Sequence, residues 1–231
     1  MPHIDLNPNS IIVHHHLGLG DHIICNGLVR YILKHASPSC LWLVTKNKYG
    51  NNVKAMYSDE PRIKILPVQH DQDLYNMPYD WSNIRLIRAG FEKCINSQFD
   101  KSMYDSVGVP FNERWDSFYI KRNHTVEEKL LAELNLPEKF SLVHDVSSVG
   151  KYDLKINTDL PIIRVRHTSS ESSMFDWMCV VERATEVHCI DSSFIHLVES
   201  MSRLSGKLFY HMCKVNDIEF SRKHEWTKVH Y

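Results

Sequence analysis

Apolar and polar positions along this chain fall into short β-branched runs separated by stretches with helical spacing. Ile11, Ile12 and Val13 predict a buried strand, Gly18-Leu19-Gly20-Asp21 a turn, and His22–His35 a helix with a periodic apolar face. Further strands are predicted at Cys40–Thr45, Ile63–Val68 and Ile84–Ala89, with a short helix at Asn51–Tyr57 and a polar loop at Asp71–Asp80. Phe118–Ile120 reads as a connecting strand. Thr125 suits the N-cap of a helix in which Glu128 completes a capping box and Leu130, Leu131 and Leu134 form the buried stripe; Leu136-Pro137 ends it. A second series follows, with strands at Phe140–His144, Ile162–Val165, Glu186–Ile190 and Lys207–His211. Helices are expected at Ser173–Ala184 and Phe194–Leu204, and Ser221–Tyr231 is a charged segment with Trp226 and Val229 as apolar anchors. Strands alternating with helices at this spacing predict an α/β protein with parallel, doubly wound sheets. Two such series predict two small Rossmann-like domains, residues 1–130 and 131–231, with the break inside Arg122–Pro137.

Composition narrows the class without changing it. The chain has 231 residues, 43% hydrophobic and 24% charged, with a formal net charge of −1. Those values suit a globular protein and supply no basic field for nucleic acid. No apolar run approaches the roughly 20 residues of a membrane span. The six cysteines contain no CxxC pair, which favours reduced thiols and a cytoplasmic setting over a disulfide framework or a zinc site.

Two segments carry candidate chemistry. Gly18 and Gly20 are residues that tolerate positive φ and close approach of a ligand, and Asp21 is the acid at the mouth of the following helix. The turn lacks the third glycine of a dinucleotide fingerprint and the lysine of a P-loop, so those two nucleotide motifs are disfavoured. Asp21 can instead cap its helix, or act as a general base toward a hydroxyl. Late in the chain, Asp191, Ser192 and Ser193 lie between a strand and an apolar helix, with His196 one turn in; hydroxyls and free N–H groups there form an anion cradle. Taken singly, each of these residues is as well explained by capping or burial.

Together, the Gly-Leu-Gly-Asp turn and the Asp-Ser-Ser-Phe-Ile-His-Leu segment resemble GT-B glycosyltransferases, nearest to glycosyltransferase family 9, the heptosyltransferase-like group. The resemblance rests on about twenty residues in the family's order, with Val198 standing where alanine is common. It implies two Rossmann-like domains facing each other. It also implies transfer of a sugar from a nucleotide-sugar donor to a glycan or glycolipid hydroxyl, inverting, with neither a metal nor any other cofactor. Asp21 would be the base that deprotonates the acceptor, with His16, Gly18, Gly20 and His22 on the acceptor side. Asp191, Ser192, Ser193 and His196 would line the donor, and Ser147 and Ser148 occupy a turn that departs from the family's small-residue pattern. Lys151, Arg164 and Arg166 are cations available to the leaving diphosphate. A glycolipid acceptor allows peripheral membrane contact, and no nucleic acid partner is implied.

Two alternatives remain open at this level. One is a nucleotide- or sugar-binding protein of the same fold without turnover. The other is a metal-dependent hydrolase built on His14-His15-His16, in which His14 and His16 share one strand face and Asp21 supplies an acid. Tyr75, Tyr79 and Trp81 are loop aromatics able to stack on a sugar or base.

Overall fold

In the computed structural model, the described residues are 10–78, 81, 84–92, 94–166, 173–213 and 219–231; Tyr79 lies outside them. They fall into two compact units, Met1–Lys121 with Ile218–Ser221, and Arg122–Asp217 with Arg222–Tyr231. The division lies ahead of residue 130 and leaves the helix His124–Leu134 whole in the second unit.

The first unit contains β1 (Ser10–His14), α1 (Leu19–Ile24), α2 (Asn26–Ala36), β2 (Cys40–Lys46), α3 (Gly50–Met56), β3 (Ile63–Val68), β4 (Arg85–Arg88), α4 (Phe99–Asp105) and α5 (Glu113–Asp116). Its sheet is parallel throughout in the order β3-β2-β1-β4, with Ile12 facing Trp42 on one side and Leu86 on the other. All five residues of β1 are buried, with Ile11-Ile12-Val13 as its apolar centre, as suits a central parallel strand. Ile12, Leu17, Val44, Leu66, Val68 and Leu74 form one core cluster. Strand order reverses beside β1, the place where open α/β sheets leave a crevice at the carboxyl ends of their strands.

The second unit contains α6 (His124–Leu134), β5 (Ser141–His144), the hairpin β6 (Val146–Ser147) and β7 (Gly150–Lys151), β8 (Ile162–Arg164), α7 (Met178–Val181), β9 (Glu186–Ile190), α8 (Ser193–Ser200), β10 (Lys207–Met212) and β11 (Trp226–His230). Its main sheet is also parallel, in the order β8-β5-β9-β10-β11, and reverses between β5 and β9. The expected α/β class with parallel sheets is therefore what the chain adopts. No helix among the described residues is long and apolar enough to cross a membrane.

Several elements differ from the sequence expectation, for physical reasons. The helix predicted over His22–His35 starts at Leu19 and breaks at Cys25, whose φ of −82° and ψ of 3° are not helical. The Tyr104 hydroxyl enters the break: it donates to the Ile24 carbonyl at 2.7 Å and accepts from the Leu28 N–H at 3.2 Å. Those are the two groups a continuous helix would bond to each other, so the inserted side chain makes the kink. Gly27 follows it with its backbone against the Glu113 carbonyl, where any Cβ would collide. Asn123, not Thr125, caps α6, accepting from the Val126 N–H at 3.4 Å. Phe118–Ile120 is not a strand, whereas Trp226–His230 extends the second sheet at its edge. Ser173–Ala184 is shorter than a full helix, a 3₁₀ turn at Met174–Trp177 followed by α7.

Candidate active site

At the carboxyl end of β1 the chain turns through His15–Gly18 into α1. Gly18 is the N-cap, with φ −74° and ψ 151°, and Gly20 lies inside α1; neither takes the positive φ expected of a glycine turn. Space explains Gly18 instead. A Cβ there would sit 2.6 Å from Oδ2 of Asp21, because that carboxylate folds back to accept the Gly18 N–H at 3.1 Å. Asp21 is partly exposed, in the third position of the helix. Burial raises its pKa to about 6, against the opposing pull of His16, the Gly18 N–H and Lys46. A carboxylate in that range is a competent base near neutral pH.

The histidine run splits around β1. His14 tilts against Phe91 at 4.6 Å and 47°, and its Nδ1 lies 3.1 Å from the Tyr75 hydroxyl. His16 shares Phe91 from beyond the strand, at 4.9 Å, and its Nε2 donates to the Gly90 carbonyl at 2.8 Å. His15 points the other way, edge-on to His22 at 4.4 Å, and the His22 Nε2 lies 3.0 Å from the Thr45 hydroxyl. Burial lowers His14 and His15 to about 4 and His22 well below its ordinary value, so all three are neutral. His22 is fully buried, which corrects its expected place on the acceptor side; its side chain holds α1 to β2. Groups of three or more His, Cys, Asp or Glu placed to hold a metal do not occur among the described residues.

In the second unit the strand reversal brings together His144, at the end of β5, and Asp191-Ser192 after β9. Ser192 is the N-cap of α8, yet its hydroxyl does not bond the helix. It meets His144 Nδ1 at 3.2 Å and the Ile190 carbonyl at 3.4 Å, while the His144 ring stacks on Phe194 at 4.7 Å. Desolvation lowers His144 to about 4 despite adjacent Asp145, so it is neutral. With the cap side chain engaged elsewhere, the first N–H groups of α8 have no side-chain cap. Ser193 opens the helix, and His196 is buried within it.

The other expected donor residues are dispersed. Ser147, Ser148 and Lys151 sit on the β6–β7 hairpin, where the Ser147 hydroxyl accepts the Val149 N–H at 3.3 Å. Arg166 reaches Glu133 at 3.7 Å on the surface, and Arg164 is committed to the buried carboxylate of Asp145. A cation not singled out from sequence, Arg222, lies over the rings of Tyr210 (5.0 Å) and Trp226 (6.0 Å). Its Nη1 is buried with no partner among the described residues, and both Arg222 and Asp191 act on the Tyr210 hydroxyl. His144 and Arg222 carry no local motif; strand order picks out the first, and contacts with Tyr210 and Trp226 the second.

No protein-family model matches the sequence, and no curated protein matches it. Solved structures do. A glycosyl transferase family 9 crystal structure from Veillonella parvula superposes with a TM-score of 0.59 at 9% identity, covering 98% of this chain and 88% of that one. The E. coli heptosyltransferase WaaC, solved with ADP, gives a TM-score of 0.50 at 8% identity, covering 96% of this chain and 90% of that one. At such identities the likeness is one of backbone architecture. The two-sheet α/β fold of this chain is that of the family 9 glycosyltransferase structures.

Proposed function

We propose that the protein is a glycosyltransferase that moves a sugar from a nucleotide-sugar donor to a glycan or glycolipid hydroxyl. The observation that carries this reading is Asp21: a partly exposed carboxylate at a strand-order reversal, held by one backbone N–H and raised to about 6. Asp21 takes the proton of the acceptor hydroxyl. The acceptor oxygen bonds the anomeric carbon, and the bond from that carbon to the diphosphate oxygen breaks, its electron pair leaving with the nucleoside diphosphate. Attack opposite the leaving group inverts the anomeric centre. Asp191, Ser192 and Ser193 serve the donor, with the growing negative charge met by the N–H groups of α8 and by Arg222. No metal step is required by this scheme. The fold neighbours, a family 9 glycosyl transferase and a heptosyltransferase, support the reading.

The test is turnover of a panel of nucleotide sugars by wild type and Asp21→Asn, with the fold checked by circular dichroism. Loss of a general base costs roughly 10²–10⁴-fold, and the variant should still bind the donor. Undiminished turnover removes Asp21 as the base. Thermal stabilisation by nucleotide sugars without any turnover in wild type leaves a binding protein of the same fold.

A further inference from the structure

Around Asp21, one group has a fixed direction and no use in the scheme above. His16 is clamped on three sides. Its Nε2 lies 2.8 Å from the Gly90 carbonyl, one ring face stacks on Phe91 at 4.9 Å and 24°, and Phe99 tilts against it at 5.1 Å and 48°. Gly90 holds its carbonyl there at φ +81°, a conformation that suits glycine, and a Cβ on it would press on Met103 and the His16 ring. Phe99 is braced in turn by Phe220 at 5.8 Å. The imidazole cannot turn over without losing this carbonyl bond.

A carbonyl accepts only, so Nε2 must carry the proton. In the neutral imidazole, Nδ1 is then a bare acceptor. Among the described residues Nδ1 has no hydrogen-bond partner, and the side chain is partly exposed. Asp21, two residues past Leu19 and folded back on Gly18, is the other acceptor at this mouth. Lys46, a cation that acts on Asp21, is paired with Asp71 at 3.4 Å. Asp21 and His16 lie close enough to act on each other, so the mouth holds two acceptors. An anionic group placed against these two atoms would meet the Asp21 carboxylate and the Nδ1 lone pair. A ligand carrying two hydroxyls would satisfy both.

We infer that His16 is a specificity-determining residue whose Nδ1 accepts the hydroxyl next to the one that reacts, so that the acceptor is a neutral sugar unit with adjacent hydroxyls. The inference rests on the transferase reading for which hydroxyl reacts, but the site itself is testable without transfer. Asp21 binds and deprotonates one hydroxyl, and His16 fixes its neighbour and thereby selects the position modified. Replacing His16 changes which hydroxyl is presented, not the base itself.

The experiment uses full-length protein labelled with ¹⁵N in its histidines, read by long-range ¹H–¹⁵N correlation at about pH 8, where an ordinary histidine is neutral. His16 is assigned by its loss in His16→Gln. It should show the Nε2–H tautomer with an unbonded Nδ1. Methyl glucopyranoside, which carries adjacent hydroxyls, should move the Nδ1 resonance upfield. Tetrahydropyran, the same ring without hydroxyls, and acetate, an anion, should not. An Nδ1–H tautomer, no response to the glycoside, or an equal response to acetate overturns the inference. A response by His16 together with undiminished transfer by Asp21→Asn would instead sink the assignment of the base and leave the diol site standing.

Discussion

Gly18 has an extended backbone that any residue adopts, so its missing side chain answers a need for room. The atom that a Cβ would strike is the end of the Asp21 side chain, which can swing aside, and not the backbone. Gly18→Ala should therefore fold with a melting temperature close to wild type while displacing the carboxylate from its N–H. Transfer should fall at least tenfold, a split that separates the positioning of Asp21 from the stability of α1. The same residue sets a pH dependence. Asp21 must be ionised to take a proton, and burial holds its pKa at about 6, above the ordinary carboxylate value. Below that pH the protonated fraction grows, so kcat/KM should drop about tenfold for each pH unit below 6 and level off above it. Asp21→Asn should abolish this acidic limb, and a limb that persists in the variant belongs to another group.

At the level of elements, what was legible in the sequence follows from locality. β1, β2, β5 and β9 announce themselves because a buried parallel strand needs a short β-branched or apolar run, and that demand is met within a few consecutive residues. Asp21 was legible for the same reason, standing beside its turn. β11 was hidden: only Trp226 and Val229 of Trp226–His230 are half-buried, with no period-2 alternation, and only its pairing with β10 declares it. His144 meets Ser192 from 48 residues away, and nothing near either residue encodes the contact. The break at Cys25 depends on Tyr104, contributed by α4 about eighty positions later. Tyr104→Phe tests that dependence. Removing the hydroxyl leaves the Ile24 carbonyl and the Leu28 N–H without their bridge, at a cost of about 1–3 kcal/mol if they stay apart. If they close on each other, α1 and α2 become one straight helix and the Asp21 mouth moves with α1. Urea denaturation reads the first outcome. A fall in transfer with unchanged stability reads the second, and a variant unchanged in both would show that the hydroxyl does not make the kink.

Across the whole molecule, the chain does not complete one unit before starting the other. After leaving the first unit at Lys121 it returns for Ile218–Ser221 and leaves again at Arg222. Backbone bonds between Glu219 and both Asn96 and Phe99 hold that return, and a buried charge pair anchors its end. Asp100 in α4 and Arg114 in α5 form an ion pair with both side chains fully buried, and the Asp100 carboxylate also accepts the Ser221 N–H at 2.9 Å and its hydroxyl at 3.3 Å. Arg114 in turn donates to the Ser221 carbonyl at 3.2 Å. One buried pair thus joins α4 to α5 and binds Ser221, which arrives from more than a hundred positions along the sequence. Composition could not reveal this, since an aspartate and an arginine fourteen apart look like any exposed pair. A buried pair contributes little net energy when intact, because desolvation offsets attraction, but removing one member strands the other charge and costs about 3–5 kcal/mol. Asp100→Ala should therefore lower stability by about that amount and speed amide exchange at Ser221, whose N–H loses its acceptor. Asp100→Leu combined with Arg114→Met removes both charges, so its loss in stability should be smaller than that of Asp100→Ala, while Ser221 exchange stays fast because its acceptor is still gone. Slow Ser221 exchange in the double variant would mean that something other than this pair holds Ser221.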